Sequence, residues 1–177
     1  MRTLKKIVVG LCTLFLIPIG IGAQESEVTL EFDNAATAQQ IVQKYINALQ
    51  MGDVTTMNSQ LADTAIIYGL GDGIDSLNVT QHKEYYTNST ATFKHVISNE
   101  LYLPVKVVNN WNEGEWVLAW GVNTVTDKET GNSFPINYHT ASMVQNGKIV
   151  VLRYYYDVLS AMTSQGYTLT PPSKKKL

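Results

Sequence analysis

The order of apolar patterns in this 177-residue chain predicts an α+β fold, a curved antiparallel sheet with its helices gathered on one face. Three observations carry that prediction. Helical periodicity fills the first part of the chain around one short strand pattern. Everything after His95 favours strands. An Asn146-Gly147 pair joins the last two apolar runs, the strongest short-range sign of a hairpin.

The elements follow in order. From Ala36 to Gln50, Ile41, Tyr45 and Leu49 recur every fourth residue with Val42 and Ile46 beside them, which makes one broad apolar helix face. Thr37 and Gln40 have capping-box spacing, and Gly52 suits the stop. Asp53 can cap a second, shorter helix in which Val54, Met57 and Leu61 share a face. "TAIIYGL" reads as a short strand and "GDGIDS" as the loop after it. Residues 80–93 read as a third helix with sparse apolar spacing, Tyr86 and Phe93. His95–Val108 is one long strand, expected to bend or bulge at Pro104. "NNWNEG" turns the chain, Glu115–Thr126 runs back, and "DKETGN" turns it again. Ser133–Gln145 and Lys148–Tyr156 then form the final hairpin. Neither an internal repeat nor a second domain is visible.

The ends stand apart from this domain. "MRTLKK" is basic, "IVVGLCTLFLIPIGIG" is apolar, and Ala23 is a small residue before Gln24, the three-part pattern of a secretory signal peptide over residues 1–23. An uncleaved anchor is the alternative, although the run is short for a membrane span and contains Pro18. Residues 24–35 read as a leader, 36–164 as the domain and 165–177 as a solvated tail. The expected location is the periplasm or the exterior. Removing Arg2, Lys5 and Lys6 from the 13 basic residues leaves 10 against 15 acidic ones, a net charge near −5. That balance disfavours nucleic acid and anionic lipid as partners. Cys12, the only cysteine, leaves with the signal, which excludes disulfides and thiol chemistry from the mature chain.

A two-residue loop sets Gln145 opposite Lys148. Regular alternation then pairs Met143 with Val150, Ala141 with Leu152, His139 with Tyr154 and Asn137 with Tyr156. One face so built is apolar near the turn and gains polar tips at its far end, the gradient expected of a cavity wall. His139 on that wall can act as a general acid or base near neutral pH, or simply orient a ligand.

"IVQKYINALQMGD", "LADTAIIYG" and "NGKIVVLRYYYD" resemble the nuclear transport factor 2-like superfamily, in particular its polyketide-cyclase-like and ketosteroid-isomerase-like members. The resemblance covers roughly residues 36–160. It implies a cone: a strongly curved sheet wrapped around three helices, with a central pocket in its mouth. Such folds host isomerases, cyclases, hydrolases and dehydratases, and many members without chemistry, so fold alone does not name an activity. In ketosteroid isomerase an Asp base works beside an oxyanion hole of a tyrosine and a protonated aspartic acid. Tyr45 falls at the tyrosine, Gly69 replaces the base, and the second acid falls at or next to His139. The Asp-Arg-Asp set of the epoxide-hydrolase branch is met by Asn123, Gly121 and Tyr154, with no charge retained.

The ligand-binding candidates are therefore Tyr45, Asn123, His139, Leu152, Tyr154 and Tyr156, with His139 and Tyr45 as the candidates for acid–base work. They suit a small, largely apolar molecule. The alternatives are an isomerase, cyclase or dehydratase using His139, and a non-catalytic module working through its outer sheet face. Asp72 and Asp75 could supply an acid from the loop but read more simply as turn formers. His82, His95 and His139 are too scattered for a metal set, and no metal or cofactor is predicted. Trp116 and Trp120 share parity opposite to Asn123, which places large aromatics on the outer sheet face. With the resemblance, that suggests a homodimer through the sheet.

Overall fold

The computed structural model describes residues 27–70 and 76–171. The signal segment, Asp72, Asp75 and the terminal lysines lie outside the described residues. Within them, no helix is long and apolar enough to cross a membrane.

The chain runs β1 (Glu27–Thr29), α1 (Ala35–Met51), α2 (Val54–Ser59), β2 (Leu61–Tyr68), β3 (Ser76–Leu77), α3 (Val79–Thr92), β4 (Phe93–Val108), β5 (Gly114–Asp127), β6 (Ser133–Gln145), β7 (Lys148–Tyr156) and α4 (Val158–Ser164). Its strands form one sheet in the order β1-β4-β5-β6-β7-β2-β3. Only the β2–β7 pair is parallel. Helices α1 to α3 close over one face, so Val42, Tyr45 and Leu49 of α1 and Met57 of α2 share a core with Ile67, Val117, Ala119 and Leu152 of the sheet. This is the α+β architecture that the sequence predicts.

Local chemistry accounts for most boundaries. Gly52 takes the left-handed conformation (φ 71°) and its N–H reaches the Ala48 and Leu49 carbonyls, closing α1. Asp53 caps α2 through the Thr56 N–H at 2.9 Å. Asn78 and Gln81 form a reciprocal capping box on α3. The box expected at Thr37 and Gln40 is not used, because α1 begins two residues before Thr37, at Ala35, with Asn34 as its N-cap. Residues 27–29 of the expected leader pair with Val108–Lys106 as an edge strand. Asp157 ends β7 and caps α4, accepting from the Ser160 N–H at 2.9 Å.

Two irregularities differ from the sequence expectation. The register of β4 on β5 runs straight through Pro104, opposite Val117, and breaks instead between Ser98 and Leu101, where Asn99 has φ 53°. Pro104 is tolerated because β1 covers only Lys106–Val108, so one side of β4 is an open edge at the proline. The second break is in the final hairpin. Gln145 opposes Lys148 and Val144 opposes Ile149, but Met143 opposes Val151, so Val150 is an extra residue, a β-bulge. Ile149 and Leu152, three residues apart, are both fully buried, which strict alternation cannot achieve. Beyond the bulge Thr140 opposes Tyr154, His139 opposes Tyr155 and Tyr138 opposes Tyr156. The predicted partners of β7 are thus displaced by one residue.

Candidate functional site

Between the helices and the inner sheet face lies a cavity of about 210 Å³. Ile46, Leu49, Ile97, Val125, Phe134 and Ile136 give it apolar walls, and a run of tyrosines gives it polar points. Tyr45 comes from α1, Tyr85 and Tyr86 from α3, Tyr138 from β6, and Tyr154 and Tyr156 from β7. No charged side chain is among the described lining residues.

Of the residues singled out from sequence, Tyr45, Asn123, Tyr154 and Tyr156 line this cavity. Leu152 does not: it is fully buried in the core beneath. His139 is corrected outright. The bulge at Val150 turns it to the outer face, where its ring lies between Trp120 (centroids 4.7 Å apart) and Tyr155 (5.6 Å). Its Nδ1–H donates to the Ala119 carbonyl at 3.1 Å. A one-residue slip reverses every side chain of a strand, and Thr140 takes the inward place expected for His139.

At one end of the cavity the phenols are wired to a histidine that the sequence reading set aside. The Asn58 Nδ2 donates to the Val79 carbonyl at 3.0 Å, which fixes that amide's orientation. Its Oδ1 therefore accepts from His82 Nδ1–H, 2.6 Å away. His82 is fully buried, and burial pushes its pKa down to about 4, so it is neutral at pH 7. With the proton on Nδ1, Nε2 is an acceptor, and it accepts a hydrogen bond from the Tyr45 hydroxyl at 2.6 Å. The Tyr45 oxygen is then left to accept from the Tyr154 hydroxyl. Tyr86 interacts with Tyr154 in turn, and its ring packs on His82 with centroids 4.9 Å apart. Burial raises the pKa of Tyr45, Tyr86 and Tyr154 well above the ordinary phenol value, so all three stay protonated.

The other polar point is built on His95. Its Nε2 lies 3.1 Å from Ser89 Oγ and its Nδ1 3.1 Å from Asn123 Nδ2. Burial lowers its pKa. Asn123 Oδ1 is buried without a partner, as are the hydroxyls of Tyr138 and Thr140. Three unsatisfied polar atoms in residues of one cavity wall are unusual in a folded interior.

Gly69 shows why the carboxylate base expected from the resemblance has no counterpart. It sits just past β2 with φ 86°, and a Cβ there would stand 2.3 Å from the Tyr154 carbonyl oxygen. Any side chain would have to displace backbone. Gly121 instead leaves room for a side chain: Tyr138 lies across it with its hydroxyl 2.6 Å from a would-be Cβ.

His82, Tyr86, Ser89 and His95 are the site residues that sequence reasoning missed. A signal existed for one pair: His82 and Tyr86 are four residues apart, hence on one helix face, and are the two buried residues of α3.

No family model matches the sequence, and no curated protein matches it. Solved structures do. An epoxide hydrolase of the LEH-like kind from M. tuberculosis aligns with a TM-score of 0.59 at 16% identity, over 74% of this chain and 90% of its own. A protein with a ketosteroid isomerase-like fold from Catenulispora acidiphila, solved with trimethylamine, aligns at 0.57 and 15%, over 75% and 98%. A nuclear transport factor 2-like protein from Burkholderia xenovorans aligns at 0.54 and 17%, over 75% and 96%. Others are chains provisionally named polyketide cyclases and an isomerase. The class is thus a curved-sheet α+β protein with an internal pocket. More particularly, the chain has the nuclear transport factor 2-like fold.

Proposed function

We propose that this chain is an exported pocket protein that holds a small, largely apolar molecule in the cavity between α1, α3 and the sheet. The observation that carries the reading is the cavity itself: about 210 Å³, apolar walls, and buried polar atoms without partners at a few points. Similar folds that carry hydrolase, isomerase or cyclase names are compatible with a ligand pocket here. Chemistry is no part of the proposal. The described lining residues include no carboxylate, and the buried histidine among them, His95, has both ring nitrogens engaged. Export rests on the pattern of residues 1–23. The test is native mass spectrometry of protein purified from its own host, followed by thermal-shift screening of neutral aromatic and alicyclic compounds. A co-purifying or stabilising hydrophobe supports the reading if Tyr154→Phe and Ile136→Asp each weaken it. Equal stabilisation of wild type and both variants overturns it.

The outer face supports a second proposal, a homodimer through the sheet. Trp120, His139 and Tyr155 form a stack there, with Tyr155 54% exposed. Arg153 lies 5.3–5.9 Å from the rings of Tyr68, Trp111 and Trp116 beside it.

A further inference from the structure

We infer that the cavity selects a guest that donates hydrogen bonds, an uncharged hydrophobe carrying its own O–H or N–H, and disfavours carbonyl compounds whose oxygen needs a donor. The inference rests on the pocket reading above and follows from where the protons go.

The chain of hydrogen bonds at the tyrosine end has only one direction. Asn58 is fixed by the Val79 carbonyl, so His82 must carry its proton on Nδ1. Tyr45 donates its O–H to His82 Nε2, and Tyr154 donates its own to the Tyr45 oxygen. Every proton in the chain points away from the cavity, toward Asn58. What Tyr154 keeps on the cavity side is lone pairs. Where the Tyr86 hydroxyl donates to one of them, the Tyr86 oxygen becomes the acceptor in its place.

At the His95 end Asn123 spends one N–H on His95 Nδ1 and keeps a second N–H beside its partnerless Oδ1, so that side chain can serve either class of guest. Hydroxyls such as those of Thr140 and Tyr138 can turn to donate or accept and so select neither class. The selection comes from the tyrosine end, where the protons are already committed. No charged group lines the described wall to stabilise an ion, which restricts the guest to a neutral molecule. A tyrosine at the Tyr45 position is thereby turned from a donor to ligand into a donor to protein.

The test uses three naphthalenes of similar size: 2-naphthol, which can donate, and 2-methoxynaphthalene and 2-acetylnaphthalene, which can only accept. Dissociation constants are measured by titration calorimetry on the mature wild-type chain. The expected result is binding of the naphthol about tenfold tighter than either acceptor, the worth of one hydrogen bond against an unpaired buried acceptor. Tyr45→Phe releases the Tyr154 proton to the cavity, so the ratio of acetylnaphthalene to naphthol affinity should rise by about tenfold. If that variant fails to fold, His82→Leu frees a proton of the same chain and should move the ratio in the same direction. Equal wild-type affinities, or tighter binding of the ketone, overturn the inference and leave the pocket reading standing. Failure of all three compounds to bind counts against the pocket reading itself.

Discussion

His82 has no charged partner in its hydrogen-bond chain, and its burial has a consequence for stability. Its pKa lies near 4 in the folded chain, against about 6.5 for an ordinary histidine in the unfolded one. Between those values the unfolded state binds a proton that the folded state does not. Stability is therefore complete above about pH 6.5 and falls as pH drops toward 4, with nothing further lost to this group below that. At about 1.4 kcal/mol per pH unit, the full effect is about 3 kcal/mol. His95, also lowered by burial, pulls in the same direction. The two separate by difference: His82→Leu should be less stable at pH 7 but show a flatter fall between pH 6.5 and 4. Urea unfolding at half-unit pH steps measures this, and parallel curves for the two proteins would show that His82 does not titrate in this window.

At the scale of elements, the β7 bulge decides more than any single side chain. It turns both Ile149 and Leu152 inward, and it sends His139 outward by advancing the β6 register one place. Regular pairing would instead make Val150 a core residue and Ile149 a surface one. Ile149→Ala should therefore cost about 2–5 kcal/mol, whereas Val150→Thr should cost less than about 1 kcal/mol. Denaturant midpoints at unchanged slope would read the difference, and a reversed order would place the bulge elsewhere. The same strand shows what a sequence can and cannot reveal. Asn146-Gly147, Gly52 and Asp53 act on their immediate neighbours, so the hairpin turn, the α1 stop and the α2 start were legible. The inward turn of Tyr154 and Tyr156 was legible too, because it depends on parity within β7 alone. The bulge was not. Its position reflects a parallel pairing with β2, where Leu61 meets Ile149 and Ile66 meets Val151, more than eighty residues away in sequence. His82 was hidden for a related reason: its partners Asn58 and Tyr45 lie on two other helices, and spacing along α3 names neither.

For the whole molecule, the two faces of the sheet divide the work. The inner face carries the cavity, and its polar groups are engaged with one another or buried at the wall. The outer face keeps large aromatic surface in water: Tyr155 is 54% exposed and Trp111 84% exposed, with Tyr68 and Leu101 also exposed. The Trp120–His139–Tyr155 stack is a flat aromatic platform, and such aromatic area is what interface centres use. A second copy placed face to face by a two-fold axis would cover it, and a stable pair would need about 800 Å² buried per partner. Light scattering on the mature chain at tens of micromolar should give twice the monomer mass. Tyr155→Lys adds a charge at the centre of that face without touching the core, so it should return the chain to a monomer at nearly unchanged thermal stability. A monomeric wild type, or a dimer indifferent to Tyr155→Lys and to Trp120→Lys, would remove the sheet face as the contact. The cavity is lined by the opposite face of the sheet, so the monomeric variant should bind the same guest with the same affinity.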